Sequence, residues 1–121
     1  MYGGAMRQAG ILAAAGLYAL DHHLERIADD HANAKRMGTR LAASSAIALD
    51  ESTVETNIIV FDLVEGAPDA DQLVAGAKDA GLLLFPFGPR RMRIVTHLNV
   101  SAEQADTAAE ILVALAERRA A

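Results

Sequence analysis

The chain of 121 residues contains no cysteine and no tryptophan, and aromatic residues make up only 4% of it. Without cysteine, the chain has no disulfide framework, no thiolate nucleophile and no cysteine-based zinc site. Apolar residues still make up 52% of the sequence, largely as alanine, which favours helix. A chain of this length can form one small domain with a modest core.

Long apolar runs and a strong positive charge are missing as well. No run approaches the roughly 18 residues of a membrane span, and the N-terminus lacks the basic and then apolar layout of a signal peptide. We therefore expect a soluble, cytoplasmic protein without a membrane partner. The net charge is -5, and the eleven basic residues are spread along the chain. This distribution argues against binding to a nucleic acid.

The first third of the sequence predicts two helices of different character. Residues 7–20 are apolar on nearly every side, so this helix must be covered all round. Residues 24–42 show a one-sided helical period, which predicts a surface helix. The apolar stripe of this second helix includes His31, which we predict to be a hydrogen-bonded packing residue, while Asp30 and Asn33 fall on the polar face.

The remaining sequence alternates between strand and helix patterns. Residues 56–63 are rich in β-branched and aromatic side chains and predict a strand. Residues 82–87 and 91–97 have strand composition, flank the turn residues 88–90, and are predicted to pair as a hairpin. Two helices are predicted from their capping residues, Asp69 with Gln72 and Ser101 with Gln104.

The order of these elements predicts the fold class. We expect an α+β domain in which a small, mainly antiparallel sheet carries helices on one face and is preceded by a long helical arm.

The first stretch that could bind a ligand is the glycine-rich run that leads into the first helix. Gly3 and Gly4 stand shortly before Arg7, at the predicted helix N-terminus. Glycines there let the backbone approach an anion, and arginine supplies a planar fork of donors for a phosphate or a carboxylate. On these residues alone, a glycine loop that ends in a solvated Arg7 is the preferred interpretation.

A second such stretch is the predicted strand 91–97. Because alternate residues of a strand share a face, Met92 and Ile94 can enter the core while Arg91, Arg93 and His97 project together on the other side. Two arginines and a histidine on one face favour the binding of an anion. Charged residues that protect an exposed edge strand from aggregation would give the same pattern.

The histidines do not indicate a metal site. His22 and His23 are neighbours on a predicted helix and point about 100° apart, so they cannot share a metal in ordinary helical geometry. His31 lies about 12 Å beyond His23 along a helix axis. We therefore predict no metal site.

Several segments together resemble one enzyme family. Residues 1–20 (MYGGAMRQAGILAAAGLYAL), 30–34 (DHANA), 55–58 (ETNI) and 93–101 (RIVTHLNVS) are similar, in order and spacing, to segments of low-specificity L-threonine aldolases. The resemblance covers nearly the whole chain. One departure is Ala5, which stands where the family usually has a third glycine.

The resemblance implies a fold type I enzyme of the aspartate-aminotransferase-like superfamily, in which a large domain holds pyridoxal 5'-phosphate and a small domain closes the site. It implies that residues 1–43 form a helical arm linking the two domains and that residues 44–121 form the C-terminal small domain. The large domain that binds the cofactor is expected to be absent from this chain.

The same resemblance implies the roles of individual residues. Arg7 would bind the cofactor phosphate, and Arg93 would bind the α-carboxylate of the substrate. The lysine that forms a Schiff base with the cofactor would lie upstream of Met1, because neither Lys35 nor Lys78 matches it. This chain would then contain no catalytic residue and would be inactive alone.

The implied reaction is the reversible cleavage of L-threonine, or of a related β-hydroxy-α-amino acid, into glycine and an aldehyde, which is acetaldehyde for threonine. The partners implied are the amino acid substrate and further copies of the subunit, in a homodimer or a homotetramer. The apolar helix 7–20 would be covered by the large domain and by the partner subunit.

Two other interpretations stay open at this point. Another fold type I enzyme, such as a serine hydroxymethyltransferase or an aromatic-amino-acid lyase, would share the domain shape but should lack the motifs around Arg7 and Arg93. A non-catalytic oligomerisation module would need a polar outer face on its first helix, and residues 9–20 do not provide one.

Overall fold

A computed structural model of the protein describes residues 4–118, and within this range four helices and three strands form. In chain order they are α1 (Ala9–His23), α2 (Ile27–Ala42), β1 (Ile47–Ala48), β2 (Ile58–Leu63), α3 (Ala70–Asp79), β3 (Arg91–Val95) and α4 (Ala102–Ala116). A short 3-10 turn, Glu51–Thr53, precedes β2. These elements confirm the α+β class. None of the helices in the described range is long and apolar enough to cross a membrane.

The three strands form one antiparallel sheet in the order β1-β2-β3. Along β2 and β3 every second side chain is buried, so one face of the sheet enters the core and the other face stays open. The helices α2, α3 and α4 supply the rest of the core on the covered face. This confirms the prediction that helices pack on one face of the sheet. Large buried side chains of this core are Met37, Leu41, Ile59, Phe61, Leu73, Met92 and Leu112.

The ends of α3 and α4 form as the sequence predicts. Asp69 and Gln72 make a reciprocal capping box at the start of α3, and Ser101 and Gln104 make another at the start of α4. Each box satisfies backbone N–H groups that a helix leaves unpaired. Gly81 adopts a φ of 84° just after α3, a conformation that ends the helix at little steric cost.

The buried face of α2 differs from the predicted one. Asp30 and Asn33 are buried together with Ala34 and Met37, whereas His31 is exposed, so the prediction of His31 as a packing residue was wrong. The helical period itself is intact. Its polar members face inward because they find partners there: Asp30 pairs with Arg26 at 3.0 Å, and Asn33 donates to a backbone carbonyl.

The helix α1 has no buried residue. Its large apolar side chains are more than half exposed, for example Ile11 at 70% and Leu17 at 61%. Within the described part of the chain, nothing supplies the all-round cover that the sequence calls for. The predicted arm 1–43 thus contains two helices that pack differently, because α2 enters the core and α1 does not; the division into a linking arm and a small domain stays a prediction.

Two features of the sheet differ from the sequence-based expectation. Residues 82–87 do not form a strand, and they join the sheet only by a single bridge between Pro86 and Met92. Proline has no N–H to donate to a ladder, so the predicted hairpin is limited to this bridge. The third strand is instead β1, whose two residues are too few to produce a recognisable pattern.

Candidate functional site

The candidate site begins on the open face of the sheet, where two arginines project from β3. The antiparallel register puts Asp62 opposite Arg91, and Val60 opposite Arg93. Arg91 binds the Asp62 carboxylate with two parallel hydrogen bonds of 2.8 and 2.7 Å. The hydrogen bonds from Arg91 lower the pKa of Asp62, and those to Asp62 raise the pKa of Arg91. Arg91 is therefore already neutralised.

Arg93 is exposed and has no carboxylate partner among residues 4–118. Its guanidinium carbon lies 5.0 Å from the centre of the Phe87 ring, a distance typical of a cation–π contact. The ring does not use the hydrogen-bonding fork of the guanidinium. Arg93 is thus held in place with donors free to bind an anion.

A cavity of about 320 Å³ lies beside Arg93, at the free edge of β3. Its walls are mostly apolar, and their polar side chains come from the C-terminal part of β3 and the turn that follows. Because residues 82–87 pair with β3 only at Pro86, the cavity opens between this segment and the strand. Lining residues on the two sides include Leu83, Phe85, Phe87, Arg93, His97 and Val100. A pocket with apolar walls and a few charged donors is typical of a site for a small molecule.

His97 lines the same cavity and has one ring nitrogen already engaged. The backbone N–H of Asn99 donates to Nδ1 of His97 at 3.3 Å. An accepting Nδ1 leaves the proton of the neutral ring on Nε2. In this arrangement, His97 offers a hydrogen-bond donor beside Arg93.

The turn that carries His97 is tied to α2 and to Asn57, the residue before β2, by buried and half-buried polar groups. Thr96 is 1% exposed, and its hydroxyl donates to the carbonyl oxygen of Asp30 at 2.6 Å. Asn57 donates to the carbonyl of Thr96 at 2.7 Å, and Asn33 donates to the carbonyl of Val100 at 3.2 Å. These bonds fix both ends of the turn and so fix the wall of the cavity that it forms.

Replacing Thr96 with valine is expected to lower the free energy of unfolding by about 1–3 kcal/mol, because the Asp30 carbonyl loses a buried donor while the side-chain volume stays nearly the same. Urea denaturation measures the change. Thr107→Val is the control, because the Thr107 hydroxyl bonds only to a carbonyl of its own exposed helix surface. Equal stability of Thr96→Val and the wild type would contradict a role for this tie.

Arg7 lies apart from the cavity, and it is not among the lining residues. It is exposed and stands next to Gln8, which caps α1 in a left-handed conformation (φ 56°) without a side-chain cap bond. The first turn of α1 contains no acidic residue. The N-terminus of α1, with its partial positive charge, and the guanidinium of Arg7 could therefore both bind an anion such as a phosphate. Gly3, predicted to shape this loop, lies outside the described residues.

Neither a lysine nor a metal site is found at the cavity beside Arg93 in the part of the chain that the structure describes. Lys35 and Lys78 are exposed on α2 and α3, and neither lines the cavity. Within residues 4–118, no group of three or more acidic or histidine side chains could hold a metal ion. The sequence did not indicate a role for Phe87, because the composition of residues 82–87 suggested only a strand. It also did not indicate the hydrogen bonds around Thr96. The signal available for them was that Asp30 and Asn33 belong to one of the segments that resemble the aldolases.

Comparison with known proteins assigns the chain to a protein family. Residues 1–64 match the β-eliminating lyase family, so the chain belongs to this family. Similarity to individual proteins is more specific. The chain is 36% identical over 82% of its length to a probable low-specificity L-threonine aldolase 2 of Arabidopsis thaliana, and 38% identical over 86% of its length to a low specificity L-threonine aldolase of Escherichia coli. It spans 28% and 29% of the lengths of these relatives.

The fold has a solved counterpart as well. The structure of MppP soaked with the product 2-ketoarginine matches with a TM-score of 0.64 at 14% identity. The match covers 82% of this chain and 30% of that one. At this identity the likeness establishes the fold of the small α+β unit and nothing about its ligand.

Proposed function

We propose that this sequence works as the C-terminal part of a fold type I, pyridoxal-phosphate-dependent threonine aldolase, which cleaves L-threonine into glycine and acetaldehyde. The observation that carries the proposal is the contrast on β3. Of two arginines on one face, Arg91 is neutralised by Asp62, whereas Arg93 keeps its donors free beside an apolar cavity. The similarity to threonine aldolases supplies the substrate class.

In this proposal Arg93 binds the α-carboxylate of the amino acid. Two parallel hydrogen bonds from a planar guanidinium fix the position and the orientation of a carboxylate. Orientation matters because it decides which bond to Cα breaks, so Arg93 contributes to rate as well as to binding. The apolar side chains beside Arg93 lower the effective dielectric constant there and so strengthen the charge interaction.

Arg7 binds the phosphate of the cofactor in this proposal. The fit rests on its exposed guanidinium, on the uncapped N-terminus of α1, and on the lack of acidic residues in the first turn of α1. When bound, pyridoxal phosphate accepts the electron pair of the Cα–Cβ bond as that bond breaks. The residues of this chain bind and orient; the lysine that carries the cofactor, in this proposal, belongs to another part of the enzyme.

Subunit association completes the proposal. The apolar surface of α1 would be covered by the large domain and by a second subunit, as in a homodimer or a homotetramer. A free-standing, non-catalytic module fits less well, because it would leave side chains such as Ile11 and Leu17 bare.

The direct test is aldehyde release. The proposed full-length enzyme, supplied with pyridoxal phosphate and L-threonine, should produce acetaldehyde, which a coupled dehydrogenase assay detects. Conversion of L-threonine only to 2-ketobutyrate and ammonia would contradict the aldolase reaction while leaving the family assignment intact.

The chain of 121 residues alone is expected to bind no pyridoxal phosphate covalently in stoichiometric amount, because Lys35 and Lys78 both lie outside the cavity. Equimolar cofactor is added, the mixture is reduced with borohydride, and the intact mass is measured. Single Lys35→Arg and Lys78→Arg variants identify any labelled position. Stoichiometric labelling that one of these variants abolishes would contradict the expectation.

A further inference from the structure

We infer that Phe87 is the positioning residue of the carboxylate site: its ring holds the Arg93 guanidinium in the orientation in which the planar fork meets the substrate. The inference rests on the proposed function of Arg93. Its structural basis is the 5.0 Å distance between the guanidinium carbon and the ring centre. An aromatic face attracts a guanidinium while leaving the N–H groups at its edge free to donate.

Phe87 does not serve as a core residue. Its side chain is 56% exposed, whereas the buried positions of the same region, such as Met92, are fully enclosed. Its ring is therefore accessible to a charged side chain at the surface. The Arg93 guanidinium is the charged group that its ring contacts.

The backbone fixes the ring relative to the arginine. The N–H of Phe87 donates to the carbonyl of Arg91 at 2.8 Å, and Pro86 bridges Met92. The ring is therefore anchored to the same strand that carries Arg93. The flanking proline limits the backbone further, so the backbone that carries the ring is held beside the strand that carries Arg93.

Holding Arg93 before the substrate arrives has a defined effect. A free arginine side chain at the surface samples many rotamers and loses this freedom when it binds a carboxylate. A ring that restricts the rotamers in advance removes part of this loss, which strengthens binding of the substrate and of the transition state alike. Phe87 should therefore act mainly on KM.

The kinetic test uses three substitutions in the proposed full-length enzyme. Phe87→Leu keeps an apolar side chain but removes the ring, and it should raise KM for L-threonine about two- to fivefold with a smaller change in kcat. Phe87→Tyr keeps the ring, so its KM should equal that of the wild type. In an Arg93→Gln background, Phe87→Leu should have no further effect on kcat/KM, because no cation remains to be held.

A spectroscopic test needs neither cofactor nor activity. In the chain of 121 residues labelled with ¹⁵N-arginine, the Arg93 Nε–H resonance should lie upfield through the ring current of Phe87. It should move toward the position of a free arginine in Phe87→Leu and stay in Phe87→Tyr. Phe85→Leu is the matched control, because Phe85 lines the same cavity and is 83% exposed but contacts no guanidinium among the described residues.

The outcomes separate the inference from the proposed function. Loss of the upfield shift in Phe87→Leu, together with the raised KM, supports the inference. An unchanged Arg93 resonance, or a loss of activity in Phe87→Leu that persists equally in the Arg93→Gln background, overturns it. If Arg93→Gln leaves KM and kcat unchanged, the proposed role of Arg93 fails even where the ring-current shift is present, and the positioning role fails with it.

Discussion

Replacing Arg93 with lysine in the proposed full-length enzyme is expected to lower kcat/KM for L-threonine by roughly ten- to hundredfold. Lysine keeps the positive charge but has no planar fork, so one of two charge-assisted hydrogen bonds to the carboxylate is lost. The remaining bond orients the substrate less well, and kcat should fall together with the apparent affinity. Steady-state kinetics with L-threonine measure both.

The matched control for this substitution is Arg91→Lys, which lies two residues away on the same exposed face of β3. Arg91 binds Asp62, and an exposed ion pair contributes little, so kcat/KM should change less than about twofold. Wild-type kinetics in Arg93→Lys would remove Arg93 from the site. Equal losses in the two variants would show that the effect is not specific to position 93, since both substitutions keep the positive charge.

The second large effect is expected for self-association of the chain of 121 residues. The bare apolar surface of α1 should drive the chain into dimers or larger assemblies at micromolar concentration. Ile11→Lys combined with Leu17→Lys should lower the association constant on the order of hundredfold or more, because each buried aliphatic side chain contributes about 1.5–3 kcal/mol. Analytical ultracentrifugation over a concentration series measures the change.

A control for added charge is Ala75→Lys with Ala114→Lys, two exposed alanines on the surfaces of α3 and α4. This variant gains the same two charges but keeps the α1 surface, so its association should match the wild type. Circular dichroism checks that helix content is retained, since lysine is itself a good helix former. A wild-type chain that stays monomeric at all these concentrations would contradict the expectation.

The sequence predicts the core of the fold where side-chain periods agree with side-chain polarity. On β3, Met92 and Ile94 are buried and Arg91 and Arg93 are exposed, as the alternation indicates; His97, in the turn after the strand, is exposed as well. Helix starts with capping boxes are also confirmed, because a box is a local arrangement of four consecutive residues.

Prediction fails where the deciding partner is distant in sequence. Asn33 was assigned to the polar face because its partner could not be known: it bonds to Val100, which is 67 residues away. Pairing of residues 82–87 with β3 was overestimated, because strand composition alone does not account for the missing N–H of Pro86, at which the pairing is limited to one bridge.

The two arginines of β3 show the same limit within the site. They lie on one face of one strand, and strand alternation does not distinguish them; only the family resemblance gives Arg93 a role. Their difference arises from β2, which puts Asp62 opposite one and Val60 opposite the other. A register between strands decides which charge is free, and register follows from the whole fold. The roles of Arg7, of Arg93 and of the upstream lysine come from the family resemblance and stay predictions.

The pairing of α2 with α4 also has a consequence for the order in which the chain can fold. Arg36 bonds to Asp106 and Arg40 to Glu110, each across 70 residues of sequence. At a synthesis rate of 5–20 residues per second, about 4 to 14 s separate the emergence of the two helices from the ribosome. During this interval the part of α2 that packs on α4 has no partner, so the nascent chain exposes this part of α2 together with the apolar helix α1 before its core can close.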